Sequence, residues 1–177
     1  MAYDPMKHHR RSIRLRGYDY GSEGLYFVTV CTYKRLSLFG KIENGEMHLT
    51  DIGQMVADTF NTLSEKYPQV TLGDFVVMPN HFHCILRIDD SGNGVTGGVD
   101  WGQADPAPTV TLGQMVGYFK YVTTQRAGLS HLLWQRNYYE HIIRDCHDYE
   151  KIADYIRTNP QRWQSDCLFP SPDTTPL

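Results

Sequence analysis

Cysteine is sparse and scattered: Cys31, Cys84, Cys146 and Cys167 lie far apart, and no CxxC pair occurs in the 177 residues. That spacing argues against a disulfide framework and against a structural zinc site, which wants four clustered Cys or His ligands. Long apolar runs are missing too, and none approaches the roughly 20 residues that cross a bilayer. The charged opening MAYDPMKHHRRSIRLRG is followed by no apolar stretch of the secretory kind, so the chain is expected to stay inside the cell, with reduced thiols. Charge of one sign is also lacking, since a net charge of −3 speaks against a general polyanion binder. No internal repeat competes with a single globular domain, and 41% hydrophobic residues are enough for one core.

The balance of charge is uneven. Residues 1–20 carry Lys7, Arg10, Arg11, Arg14 and Arg16 against Asp4 and Asp19, a local +3 that leaves −6 on the remainder. A basic arm on an acidic body suits local phosphate binding, and a solubilising tail fits the charge as well. LYFVTVCTY (25–33) reads as a central strand, and KIENGEMHLT holds an Asn-Gly hairpin turn. Asp51 with Gln54 predicts a capping-box helix running to Pro68. Strands 70–78 and 81–88 follow, joined by the turn pair Pro79-Asn80. After a Gly-rich loop over 89–108, Thr111 and Gln114 open a second helix that ends at Gly128. Residues 132–144 are expected as a fourth strand, and Asp145 caps a third helix that reaches Pro160. This order predicts an α+β, ferredoxin-like split βαβ sheet, antiparallel, with helices on one face and the other free for a ligand. The segments are a basic arm over 1–20, a domain over 21–163 and a flexible tail over 164–177.

The stretch VVMPNHFHCIL sets His81 and His83 on one face of a strand, with Phe82, Cys84 and Leu86 on the other. Two imidazoles so placed can share one cation, although such pairs also occur on ordinary solvated strands. Tyr155 and Asn159, four residues apart, share a helical face, where a phenol and an amide oxygen would complete a cation site with an attacking hydroxyl. Taken alone, the two residues read better as a boundary aromatic and a helix stop before Pro160, and it is together with the histidine pair that they suggest a site. Pro160 disfavours the α conformation at Asn159, which weakens the expected i, i+4 geometry. A divalent ion in this setting suits phosphoryl transfer, with the tyrosine oxygen storing the bond as a phosphotyrosine.

RRSIRLRGYDYGSEGLYFVTVCTYKR, VVMPNHFHCILRI and LWQRNYYEHIIRDCHDYEKIADYIRTNPQRW, in that order, resemble the REP-associated tyrosine transposases, within the single-tyrosine transposases that carry a histidine–hydrophobic–histidine (HUH) motif. The resemblance runs from Arg10 to Trp163. It implies that His81 and His83 are metal ligands with Phe82 between them, that Tyr155 is the nucleophile and that Asn159 is the remaining ligand. It further implies Mg²⁺ or Mn²⁺ as cofactor, and as substrate a single-stranded DNA hairpin, REP-like and palindromic, with a short tetranucleotide beside it. The expected compartment is the bacterial cytoplasm, at the nucleoid. No obligate protein partner is inferred.

The expected DNA contacts are Arg10, Arg11, Arg14 and Arg16, interleaved with Tyr18 and Tyr20 for base stacking. Arg87 joins them on the histidine face of its strand, Lys120 on the second helix, and Arg157 beside the tyrosine. Three other readings stay open: a replication initiator or relaxase with the same motif, a non-catalytic nucleic-acid-binding module, and a domesticated protein that binds hairpins and cuts poorly.

Overall fold

The computed structural model describes residues 18–89 and 110–170. Arg10, Arg11, Arg14 and Arg16, most of the Gly-rich loop and residues 171–177 lie outside that range. Strand β1 (Gly24–Cys31) is followed by the hairpin β2 (Gly40–Glu43) and β3 (Glu46–Leu49), whose turn residues Asn44 and Gly45 have φ of 53° and 79°. Positive φ at both positions is what a tight hairpin turn requires, and Asn-Gly supplies it at least cost. Helix α1 (Asp51–Asn61), the single turn α2 (Leu63–Lys66), β4 (Val70–Met78), β5 (His81–Ile88), α3 (Leu112–Ala127), β6 (Tyr139–Ile143) and α4 (Cys146–Thr158) complete the order.

The main sheet runs β4-β5-β1-β6 with every neighbouring pair antiparallel, the order that the split βαβ plan demands. β1 is central, as its continuous apolar run requires. One face packs under α1 and α3: Tyr26, Val28 and Val30 of β1 and Phe82, Cys84 and Leu86 of β5 join Phe60, Met115 and Phe119 in the larger core. The opposite face is not free. Ile85 of β5 and Ile143 of β6 pack with Ala153 and Ile156 of α4, so α4 lies across the sheet on the side of the histidines. The apolar stripe of α4 needed a second sheet face to bury it, because α1 and α3 already fill the first.

Three local expectations shift. The helix cap is Thr50, not Asp51: the Thr50 hydroxyl accepts from the Gly53 N–H at 3.2 Å. The helix expected to reach Pro68 breaks at Thr62, whose hydroxyl donates to the Thr59 carbonyl and competes with the backbone ladder. Strand 132–144 contracts to β6, because Trp134 is drawn into the core between Phe39 and Phe119 and donates its indole N–H to Thr123 at 2.8 Å. The caps at Thr111 and Asp145 and the left-handed Gly128 stand where the sequence puts them.

Candidate active site at the two-histidine strand

His81 and His83 emerge from the start of β5, immediately after the Pro79-Asn80 turn, with ring centroids 4.4 Å apart. Both are buried, at 0% and 3% exposure, so they are not a solvated pair. Burial is the main cause that lowers their basicity. It brings His81 down to about 4, with the Asp166 carboxylate pulling the other way, and His83 falls well below the ordinary value. Neutral imidazoles at neutral pH are the form that binds metal.

Hydrogen bonds orient each ring. Asn80 donates its amide N–H to the Leu168 carbonyl at 2.8 Å, which turns its Oδ1 toward His81 Nδ1, also at 2.8 Å. With Asn80 accepting, His81 carries its proton on Nδ1 and presents the Nε2 lone pair to the site. His83 Nδ1 lies 2.7 Å from the Thr29 hydroxyl on β1, and its ring stacks on Phe27 at 5.1 Å. Such outer partners fix tautomer and direction in metal-binding histidines.

From α4, Tyr155 brings its hydroxyl to 3.4 Å from His83 Nε2 and donates to Asp166 Oδ2 at 3.0 Å. Burial first, then the Asp166 charge and hydrogen bond, raise the phenol well above its ordinary value, so the hydroxyl is protonated. Asn159 is wholly buried and donates from Nδ2 to the same Asp166 oxygen at 3.0 Å. Its backbone is α-helical (φ −57°, ψ −43°) despite the following proline. Pro160 opens a 3-10 helix (Pro160–Ser165), where a missing N–H costs nothing, and the Asn159–Asp166 bond holds the residue in place.

Asp166 is the site residue that sequence reasoning missed. It lies three residues beyond the expected end of the domain, in a stretch read as tail, and no spacing motif marks it. The 3-10 helix carries the chain back to the histidines, with buried Trp163 at 5.8 Å from the His81 ring and Leu168 buried behind it. The Asp166 carboxyl stays below its ordinary value. Burial opposes this, and the Leu168 N–H, Asn159, His81 and Tyr155 outweigh it. Ligand atoms of His81, His83 and Asp166 all lie within 4.8 Å of one another.

Among the described residues, two buried acceptors in this cluster have no hydrogen-bond partner: His81 Nε2 and Asn159 Oδ1. Buried polar atoms are rarely left so, and a divalent cation satisfies a lone pair on nitrogen and one on oxygen together. The residues present therefore fit a divalent ion.

The other predicted residues scatter. Arg87 shares the face of His81 and His83 but lies at the far end of β5, exposed, with its Nε 2.6 Å from Asp89 and its Nη2 3.8 Å from Glu23. Arg157 is exposed on α4 and pairs with Asp74 at 3.8 Å. Lys120 sits in the opposite layer, on α3, where its ammonium donates to the carbonyls of Gln135 and Arg136 at 2.6 and 2.8 Å. Tyr18 and Tyr20 pack on each other and on Tyr26 against the larger core. Among the described residues, no helix is long and apolar enough to cross a membrane.

No protein-family model matches the chain. An uncharacterized protein of Haemophilus influenzae is 41% identical over 174 residues, covering 94% of this chain and 97% of the relative. A second protein of that organism, named for the REP-associated tyrosine transposases, is 24% identical over 143 residues, 80% of this chain and 73% of its own length. Among solved structures, a REP-associated tyrosine transposase bound to a REP hairpin matches with a TM-score of 0.57 at 23% identity, over 94% of this chain and 95% of the other. The chain thus belongs to one family with the Haemophilus influenzae protein that shares 41% of its residues, and it is similar in sequence and in fold to the REP-associated tyrosine transposases.

Proposed function

We propose that the chain cleaves single-stranded DNA beside a REP-like hairpin and transfers the strand through a 5′-phosphotyrosine on Tyr155, acting in the cytoplasm on chromosomal DNA. The observation that carries this reading is the pair of unpartnered buried acceptors, His81 Nε2 and Asn159 Oδ1, in one cluster with the Tyr155 hydroxyl. His81, His83 and Asn159, joined by Asp166, would hold Mg²⁺ or Mn²⁺. A bound divalent ion supplies Lewis acidity at a non-bridging phosphate oxygen.

The chain's own residues do the rest. Tyr155 Oη forms the bond to phosphorus, the bond from phosphorus to the 3′ oxygen breaks, and that oxygen leaves and takes a proton from water to become a 3′-hydroxyl. The phenolic proton has an acceptor in Asp166 Oδ2, to which it is already hydrogen-bonded. Burial keeps the phenol protonated until the phosphate arrives, which guards the nucleophile against idle ionisation. His83, stacked on Phe27 and tied to Thr29, holds its ring edge toward the tyrosine oxygen.

The test is a labelled hairpin oligonucleotide with single-stranded flanks, incubated with the full chain in Mn²⁺ or Mg²⁺ and run under denaturing conditions. A protein–DNA adduct that disappears in excess chelator is expected. Absence of any adduct, with hairpin binding intact, would favour the second reading, a hairpin-binding protein that does not cut. That reading draws on the same Tyr155–Asp166 hydrogen bond, taken as a resting lock on the hydroxyl.

A further inference from the structure

At the other end of the α4 face, beyond Ile85, the structure holds a cavity of about 700 Å³ that none of the roles above uses. Two features border it. Helix α4 begins only at Cys146, so it leaves the end of the sheet uncovered, and Gly73, beside the irregularity between Leu72 and Phe75 of β4, lies against Ile85 with no room for a side chain. A Cβ at Gly73 would come within 3.0 Å of Ile85. Leu25, Leu72, Ile85 and Ile143 make apolar walls, Tyr149 projects from α4, and Arg87 and Arg144 stand at the cavity with Glu150.

This combination is neither a core void nor a plain phosphate cleft. The two arginines on its lining can hold a phosphate at the opening, and the carboxylates of Asp145 and Glu150, exposed as they are, keep it from being a plain phosphate cleft. Among the described residues Arg87 is engaged by Glu23 and Asp89 on the exposed surface, and such pairs are weak enough to exchange for a phosphate. An apolar-walled space with one aromatic side chain, and with exposed arginines and carboxylates on its lining, matches an unpaired nucleotide, its base against the ring and its backbone outside. The location agrees. Tyr149 and Tyr155 are on one helix, six residues and so about 9 Å apart, and His83, Ile85 and Arg87 descend the same strand face.

We propose that this cavity takes one unpaired nucleobase of the single strand flanking the hairpin, within a nucleotide or two of the scissile phosphate, stacked on Tyr149. Glu150 accepts from the exocyclic amino group of that base, which favours cytosine, adenine or guanine over thymine. The proposal rests on the DNA reading above and deepens it by naming where the flank is read.

The test uses the full chain and two DNAs, a hairpin with single-stranded flanks and the same hairpin without them, with 2-aminopurine placed in turn at each flank position. One position should lose fluorescence on binding, and an abasic nucleotide there should cut the advantage of the flanked over the flankless hairpin by about 5- to 150-fold. Tyr149→Ala should cut that advantage to the same extent and abolish the quenching, while Tyr149→Phe retains both. Because Tyr149 also packs against the small core of α4, Cys146→Trp serves as a second variant: Cys146 is exposed on the cavity rim, so a bulky ring blocks the space without removing a core contact. No quenching at any flank position, or a Cys146→Trp chain with the full flank advantage, overturns the proposal. Adduct formation reports separately. Tyr149-dependent quenching without any adduct leaves the nucleobase site standing and removes the cleavage reading, and an adduct without quenching does the reverse.

Discussion

At the residue scale the site turns on single atoms. Tyr155→Phe removes one oxygen and little packing, so the expected protein is folded and still binds its hairpin, with no covalent adduct on denaturing gels. Tyr149→Phe, in the same helix but directed into the flank cavity, keeps the adduct. Persistence of the adduct in the first and its loss in the second would transfer the nucleophile's role. The histidines give a second prediction. With divalent cations removed, His81 titrates near 4 when folded against an ordinary value of 6.5, because burial disfavours its charged form, and His83 moves in the same direction. The unfolded chain therefore binds more protons between those values, and stability is full above about 6.5 and declines as pH falls toward 4. Thermal melts in chelator across that range should show the decline, and His81→Phe with His83→Phe should flatten it. A Tm that is level from 6.5 to 4 in the parent chain would contradict the buried neutral pair.

The element that makes or breaks the site is α4, which carries Tyr155 and Asn159 and sits on Ile85 and Ile143 through Ala153 and Ile156. Ile156 is 1% exposed, one residue past Tyr155 and on the buried side. Ile156→Ala is expected to cost about 2–5 kcal/mol in denaturant unfolding. It should also slow adduct formation at temperatures where the chain remains folded, because the helix then loses its seat. An unchanged adduct rate in a measurably destabilised variant would mean that the 3-10 segment, not the sheet, positions Tyr155. Most elements were legible in the sequence because each carries a local signal: the Thr111–Gln114 and Asp145 caps, the Asn44-Gly45 turn and the β-branched run of β1. The face occupied by α4 was not legible, since amphipathic periodicity says which side of a helix is buried but not what buries it. Asp166 escaped for a related reason. Its place is set by hydrogen bonds from Tyr155 on α4, from Asn159 at its end and from the Leu168 N–H, and nothing in QSDCLFPSP announces that the chain turns back.

For the whole molecule the question is how a chain of net charge −3 would hold the DNA proposed for it. The layers separate the tasks. α1 and α3 fill one sheet face with core, and there Lys120 donates to the backbone carbonyls of Gln135 and Arg136. The other face keeps the site, the flank cavity and the exposed Arg87 and Arg157. Those few cations stand on a body whose charge is −6 once residues 1–20 are set aside, so long-range attraction must come from the arm that carries Lys7, Arg10, Arg11, Arg14 and Arg16. Deleting residues 1–16 should therefore weaken hairpin binding most at low salt. The slope of log K against log salt concentration should shrink by about 0.7–0.9 for each phosphate no longer neutralised. Adduct formation at saturating DNA should survive, because none of His81, His83, Tyr155, Asn159 and Asp166 is among the deleted residues. A salt slope identical to that of the full chain would mean that the arm touches no phosphate, and the cations on the α4 face would then have to account for the affinity alone.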